Sequence, residues 1–272
     1  MLGSIRAHRG STPLAVGTPQ QQAMLAVLLL SPNGSATISC LVEGLWGQEP
    51  PDAAVTTVRT YAWRWRRLME PDRSVAPVVL VSAGDGYRLV VPSNALDLWQ
   101  AEGLAARAAE ARSSGRWEEA DSLLVQALSL WRGDPLPRLP GPFAQRQRAR
   151  LTELRLTLIE QRLDLALRLG RHGLAVPDLT AFVSEHPLRE SAHGLLMRAL
   201  SAGGRQTEAL QVYQRIRQRL IAEQGLDPGP ELTELHRRVL AGDPCLLAPA
   251  REDEPAEPLA AAARPAPAGP PA

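Results

Sequence analysis

Hydrophobic and polar positions follow three different patterns along this chain. Residues 1 to about 92 mix short β-like runs with three helical segments. Residues 93 to about 243 carry helical periodicity almost throughout. Residues 244 to 272 show no apolar periodicity and hold eight Pro, which predicts a disordered tail. The expected division is therefore 1–92, 93–243 and 244–272.

The first zone opens with two expected strands, Leu2 to His8 and Pro13 to Val16, around the turn formers Gly10, Ser11 and Thr12. Thr18 is the expected N-cap of a first helix, Pro19 suits its first position, and Gln20 to Leu30 favours helix. Pro32, Asn33 and Gly34 break it. Ser39 is expected to cap a second, short helix whose Leu41, Val42, Leu45 and Trp46 fall at helical spacing, with Gly47 as its stop. Pro50 and Pro51 forbid helix, and Asp52 is the expected cap of a third one, Ala53 to Met69.

That third helix carries the chemistry. Val55, Val58, Ala62, Trp65 and Met69 recur every three or four positions and predict a buried stripe, with Tyr61 and Leu68 beside it. The opposite side presents Thr56, Arg59, Thr60, Trp63, Arg64 and Arg67, with Arg66 at the flank. Beyond Pro71, the runs Val78–Ser82 and Tyr87–Val91 flank Gly84-Asp85-Gly86 and predict a hairpin, Arg88 facing away from Tyr87 and Leu89. Strands, three helices and a closing hairpin describe a winged helix-turn-helix. The major groove of B-DNA admits one α-helix, and Arg can pair with guanine O6 and N7 or with phosphate. Most charged helix faces are merely solvated; the order of the surrounding elements favours DNA here.

In the second zone a phrase recurs. Gly115-Arg116-Trp117, Gly170-Arg171-His172 and Gly204-Arg205-Gln206 each end one helix and open the next, the last two 34 residues apart. That is the period of a tetratricopeptide repeat, whose stacked helix pairs leave a groove. A purely structural all-α core would show the same periodicity.

Charge narrows the choices. Formal net charge is +1, which excludes a globally basic coat. Residues 1–92 hold eight Arg against six acids, while the third helix alone holds four Arg and no acid. Residues 93–243 balance twenty Arg with nineteen acids, a poor second DNA surface. Arg146, Arg148 and Arg150 form a local cluster, read as a solvated helix face or a grip on an acidic partner. In the tail, Glu252, Asp253, Glu254 and Glu257 read as a solvating run. Cys40 and Cys245 make no disulfide framework, no apolar run approaches membrane length, and the chain opens without a signal peptide. A cytoplasmic protein without membrane contact is expected.

The phrases Leu45-Trp46-Gly47, Pro50-Pro51 and Tyr61-Ala62-Trp63-Arg64-Trp65-Arg66-Arg67-Leu68 resemble the DNA-binding domain of the Streptomyces antibiotic regulatory proteins (SARP). Leu130-Trp131-Arg132-Gly133, Glu185-His186-Pro187-Leu188-Arg189-Glu190 and Gly225-Leu226-Asp227-Pro228-Gly229-Pro230-Glu231-Leu232 resemble the bacterial transcriptional activator domain joined to it. The resemblance implies a mainly α fold with small β elements: an N-terminal winged helix, then an all-α tetratricopeptide-like domain. It also implies an activator of a secondary-metabolite gene cluster that binds promoter direct repeats near the −35 element and recruits RNA polymerase holoenzyme. Two protomers would lie side by side on double-stranded DNA. No cofactor or metal is implied. Base-facing positions of the family's third helix fall at Thr56, Arg59, Thr60, Trp63 and Arg64, with Arg67 nearer the backbone; Arg66 and the wing's Arg88 complete the expected DNA-binding set. Departures are Trp63 in place of a small polar residue, Gln20-Gln21-Gln22 in place of cations, and Ala83 in place of an Arg before the wing turn. The opening strand is short for the family, which implies a start codon upstream of Met1. No G-x-x-x-x-G-K-[ST] is present, so the chain resembles the short form.

The alternatives are an enzyme, a protein-binding repeat scaffold with a degenerate winged helix, and a helical groove that senses a small molecule, for which the sequence offers no pocket signature. None of His8, His172, His186, His193 and His236 falls in a metal or nucleophile motif. Loss of promoter binding in Arg59→Ala/Arg64→Ala, with the fold intact, separates the regulator from the scaffold.

Overall fold

The computed structural model describes residues 1–70 and 76–243. The expected tail with its acidic run and Cys245 lies outside them. Among the described residues, packing forms two compact units, one within 1–166 and one within 167–243.

The first unit opens with a small antiparallel ribbon, β1 (Ala7–Arg9) with β2 (Thr12–Leu14). This is shorter than the runs expected from sequence. Leu2 and Ile5 leave the strand to enter the core, and the Leu2 carbonyl accepts from Arg132 N–H at 2.7 Å. Helix α1 (Pro19–Leu30) begins as expected: Thr18 and Gln21 form a reciprocal capping box. Ala23 through Leu28 are all buried, so α1 is the central rod of this unit.

After the turn Pro32–Gly34 comes a strand the sequence did not announce, β3 (Ser35–Thr37). It starts no hydrophobic alternation of its own and exists through a distant partner. It pairs antiparallel with β5 (Gly86–Leu89), whose other edge pairs with β4 (Leu80–Ala83), giving the sheet order β3-β5-β4. Gly86 permits this approach, since a Cβ there would stand 2.1 Å from the Ala36 carbonyl oxygen. Helix α2 (Ile38–Trp46) is capped by Thr37, not by the expected Ser39. The Thr37 hydroxyl accepts from Cys40 N–H at 3.1 Å, and the Ser39 hydroxyl binds that of Thr37. Two hydroxyls two residues apart compete, and the one ending the strand wins.

Helix α3 (Ala54–Met69) starts without a side-chain cap, its N-cap being Ala53 and not Asp52. Beyond the β4–β5 hairpin the elements of the unit are helical: α4 (Asp97–Ser113), α5 (Trp117–Ser129) and most of α6 (Pro142–Arg168). Their buried Leu98, Leu124, Leu151 and Leu165 belong to the same apolar core as α1.

The second unit stacks α7 (His172–Glu185), α8 (Glu190–Ala202), α9 (Gln206–Gln224) and α10 (Pro230–Leu240). All three Gly-Arg phrases sit at helix-to-helix turns, and Gly115, Gly170 and Gly204 all take φ near +70°. That left-handed geometry costs least at glycine, which accounts for the phrase. The helical-repeat reading is thus observed. No helix among the described residues is long and apolar enough to cross a membrane.

Candidate nucleic-acid interface

Helix α3 buries Ala54, Val58, Tyr61, Ala62 and Trp65. Two polar atoms on that buried side fix its rotation. The Trp65 indole N–H donates to the Gln21 carbonyl at 3.1 Å, and the Tyr61 hydroxyl donates to Gln20 Oε1 at 2.9 Å. Gln21 also closes the α1 capping box, and Gln22 donates to the Gly17 carbonyl at 3.0 Å. The three glutamines therefore clamp α1 to its own start and to α3.

With the inner face pinned, Thr56, Arg59, Thr60, Trp63, Arg64 and Arg67 all fall on the exposed face. Their spacing of three and four residues makes one stripe. Thr60 Oγ1 donates back to the Thr56 carbonyl at 2.9 Å, leaving its lone pairs outward. Trp63 is 53 % exposed, an unusual state for so large an apolar ring. The Arg67 guanidinium lies 5.5 Å from its ring centroid, a cation–π contact that orients both groups. Arg66 and Arg67 occupy the last turn, where positive charge complements the helix dipole.

Arg66 behaves differently from its neighbours. Its Nε donates to the Leu80 carbonyl at 2.7 Å and its Nη2 to the Ser82 hydroxyl at 2.9 Å. Its guanidinium also lies over the Tyr87 ring at 5.4 Å. The side chain ties α3 to the β4–β5 hairpin, so its charge is shared with the wing. Arg88 is exposed on β5 while Tyr87 and Leu89 are buried, the alternation expected of that strand.

Sequence reasoning missed Glu70. This residue caps α3 and accepts the backbone N–H of Val78, of Val79 at 2.8 Å and of Leu80 at 3.4 Å. Burial works to raise its carboxyl pKa, but those backbone donors and the Arg66 charge outweigh it and hold the group below the ordinary carboxylate value. Arg66 in the last turn and Glu70 at the C-cap are four apart, and together they fasten the start and middle of β4. The only signal in the sequence was that i,i+4 spacing at a helix end.

The Arg146–Arg150 cluster is partly structural. Arg148 donates to the Leu136 and Leu139 carbonyls, and Arg150 pairs with Glu102 at 2.7 Å. His186 caps α7, its ring edge-on to Phe182, in keeping with a helix-connection role.

A three-helix unit with a β-ribbon beside a cationic third helix defines the winged helix-turn-helix class. Comparison with known proteins agrees. Residues 96–240 match the model of the bacterial transcriptional activator domain. The chain is 33 % identical to regulatory protein DnrI of Streptomyces peucetius over 90 % of this chain and 92 % of that protein. It is 47 % identical to regulatory protein AfsR of Streptomyces griseus over 94 % of this chain, which spans 26 % of that relative. Mycobacterium tuberculosis EmbR, solved in complex with a low-affinity phosphopeptide, superposes with a TM-score of 0.82 at 32 % identity, covering 88 % of this chain and 64 % of EmbR. The chain belongs to the SARP family of regulators and carries its bacterial transcriptional activator domain.

Proposed function

We propose that this protein is a sequence-specific, DNA-binding transcriptional activator of a secondary-metabolite gene cluster. The observation that carries the reading is the exposed stripe Thr56, Arg59, Thr60, Trp63, Arg64 and Arg67 beside a tethered wing. In this reading α3 enters the major groove, where Arg59 and Arg64 read guanine edges. The Thr56 and Thr60 hydroxyls reach bases or phosphates, Trp63 packs on a thymine methyl or a sugar, and Arg67 and Arg88 touch the backbone. Arg66 acts as the strut that aims the wing.

Residues 1–92 serve as the DNA-binding part and 93–243 as the activator part. Two protomers bind side by side on direct repeats near the −35 element, and RNA polymerase holoenzyme is the partner recruited. The protein acts in the cytoplasm, at the nucleoid. The relatives named above are regulatory proteins, and no enzymatic role is proposed.

Footprinting on promoters neighbouring the gene tests this. Protection of two direct repeats lying side by side near the −35 element is expected. Absence of any protected promoter at moderate salt, with the protein folded, would favour the protein-binding scaffold instead.

A further inference from the structure

Helices α7, α8 and α9 of the second unit enclose a groove of about 680 Å³. Its floor is apolar: Leu196, Leu200, Val212 and Ile216 are each at most 5 % exposed. Its wall is one stripe of α9 in which Arg205, Glu208, Val212, Arg215 and Arg219 recur every three or four residues. Glu208 is the single carboxylate among the described lining residues, and Arg205 takes both of its oxygens at 2.7 Å. Arg219 reaches Glu223 at 3.0 Å, and Arg215 Nε reaches only the Gln211 carbonyl, at 3.3 Å. The lining thus holds more positive charge than its own carboxylate balances, above an apolar floor.

The chain emerges next to this wall. Gln206 at the start of α9 donates to the Val239 carbonyl near the end of α10, and Arg238 holds Asp243 at 2.7 Å. Nine residues beyond Asp243 begins the acidic run Glu252, Asp253, Glu254 and Glu257. Nine residues reach at most about 30 Å. The wall from Arg205 to Arg219 is about 21 Å of helix. The tether can therefore bring the acidic run to any of the three arginines, at an effective concentration on the order of millimolar.

We propose that the segment Glu252–Glu257 docks in the α7–α9 groove of its own chain, its carboxylates on Arg215 and Arg219. It thereby acts as a tethered competitor for any acidic partner segment that uses the same groove. This inference is independent of DNA recognition by α3.

The test uses the full chain with Cys40→Ser and Cys245→Ser, and a nitroxide on Ala256→Cys. The methyl resonances of Val176, Val183 and Val212 should broaden at low salt and recover in roughly 1 M salt, where charges are screened beyond about 3 Å. They should also recover when the four acids become Gln or Asn, and in Arg215→Glu/Arg219→Glu. Adding Glu252→Arg and Glu254→Arg to that last variant should restore the broadening. Three results would overturn the proposal. One is no broadening in the parent; another is broadening that survives neutralisation of the acids. The third is broadening of isotope-labelled, nitroxide-free chains mixed with nitroxide-bearing ones, which would assign the groove to a second copy.

Discussion

Replacing Arg59 and Arg64 together by Ala removes the two cations at the centre of the exposed α3 stripe. Both side chains project from the surface, so the fold should change by no more than about 0.5 kcal/mol per site. If each guanidinium reads a guanine in bidentate fashion, each is worth about 1–3 kcal/mol of discrimination. The pair then costs about 2–6 kcal/mol, which is roughly 30-fold to 10⁴-fold in Kd. The loss should fall on the operator and spare a scrambled duplex, because phosphate contacts persist. If instead both arginines touched phosphate, affinity would fall evenly on all sequences and the salt slope would drop by about 2. Mobility shifts on operator and scrambled duplexes at two salt concentrations separate these cases, with circular dichroism confirming the fold. Operator affinity within threefold of the parent would refute the base-reading role.

Further outcomes follow from the supports of the stripe. Glu70→Gln should weaken the hold on the start of the wing and lower amide-exchange protection at Val79 and Leu80, while Arg66 and the β5 pairing keep β4 in place and the helices are unaffected. Because the folded carboxyl titrates below its unfolded value, its contribution is full above the unfolded pKa and is lost as pH falls through the lower folded one. Parent wing protection should therefore decline in acid and be flat in the variant. Trp65→Ala should cost about 3–5 kcal/mol in denaturant unfolding, since the ring is buried and its N–H anchors α3 to α1. His193 is buried, and desolvation lowers its pKa; the Arg189 carbonyl and Glu190 oppose the shift, and Arg215 and Arg219 reinforce it. Its neutral form is the folded one, so Tm should drop as pH falls below about 6.5, less so in His193→Gln.

Much of this architecture was legible because it is local. Val58, Ala62 and Trp65 of the expected stripe are buried at helical spacing, whereas Val55 is exposed and Met69 half-buried; the Gly-Arg turns announce themselves by a phrase that left-handed glycine geometry requires. What escaped was non-local. Strand β3 is three residues held by pairing with residues about fifty positions away, and no pattern within Ser35–Thr37 encodes that. The same pairing makes Thr37 the cap of α2 and leaves Ser39 to a supporting bond. Glu70 was hidden because its partners are backbone N–H groups, eight to ten positions further on, which a sequence does not display. Arg66 looked like its neighbours from sequence; only the position of the hairpin sets it apart.

The central claim is that the exposed α3 face enters a major groove. Methylation interference tests it most directly, because dimethyl sulfate modifies guanine N7, which opens only to that groove. Methylation of guanines within each repeat should exclude those duplexes from the bound fraction. Interference confined to minor-groove adenine N3, or none at all, would contradict it.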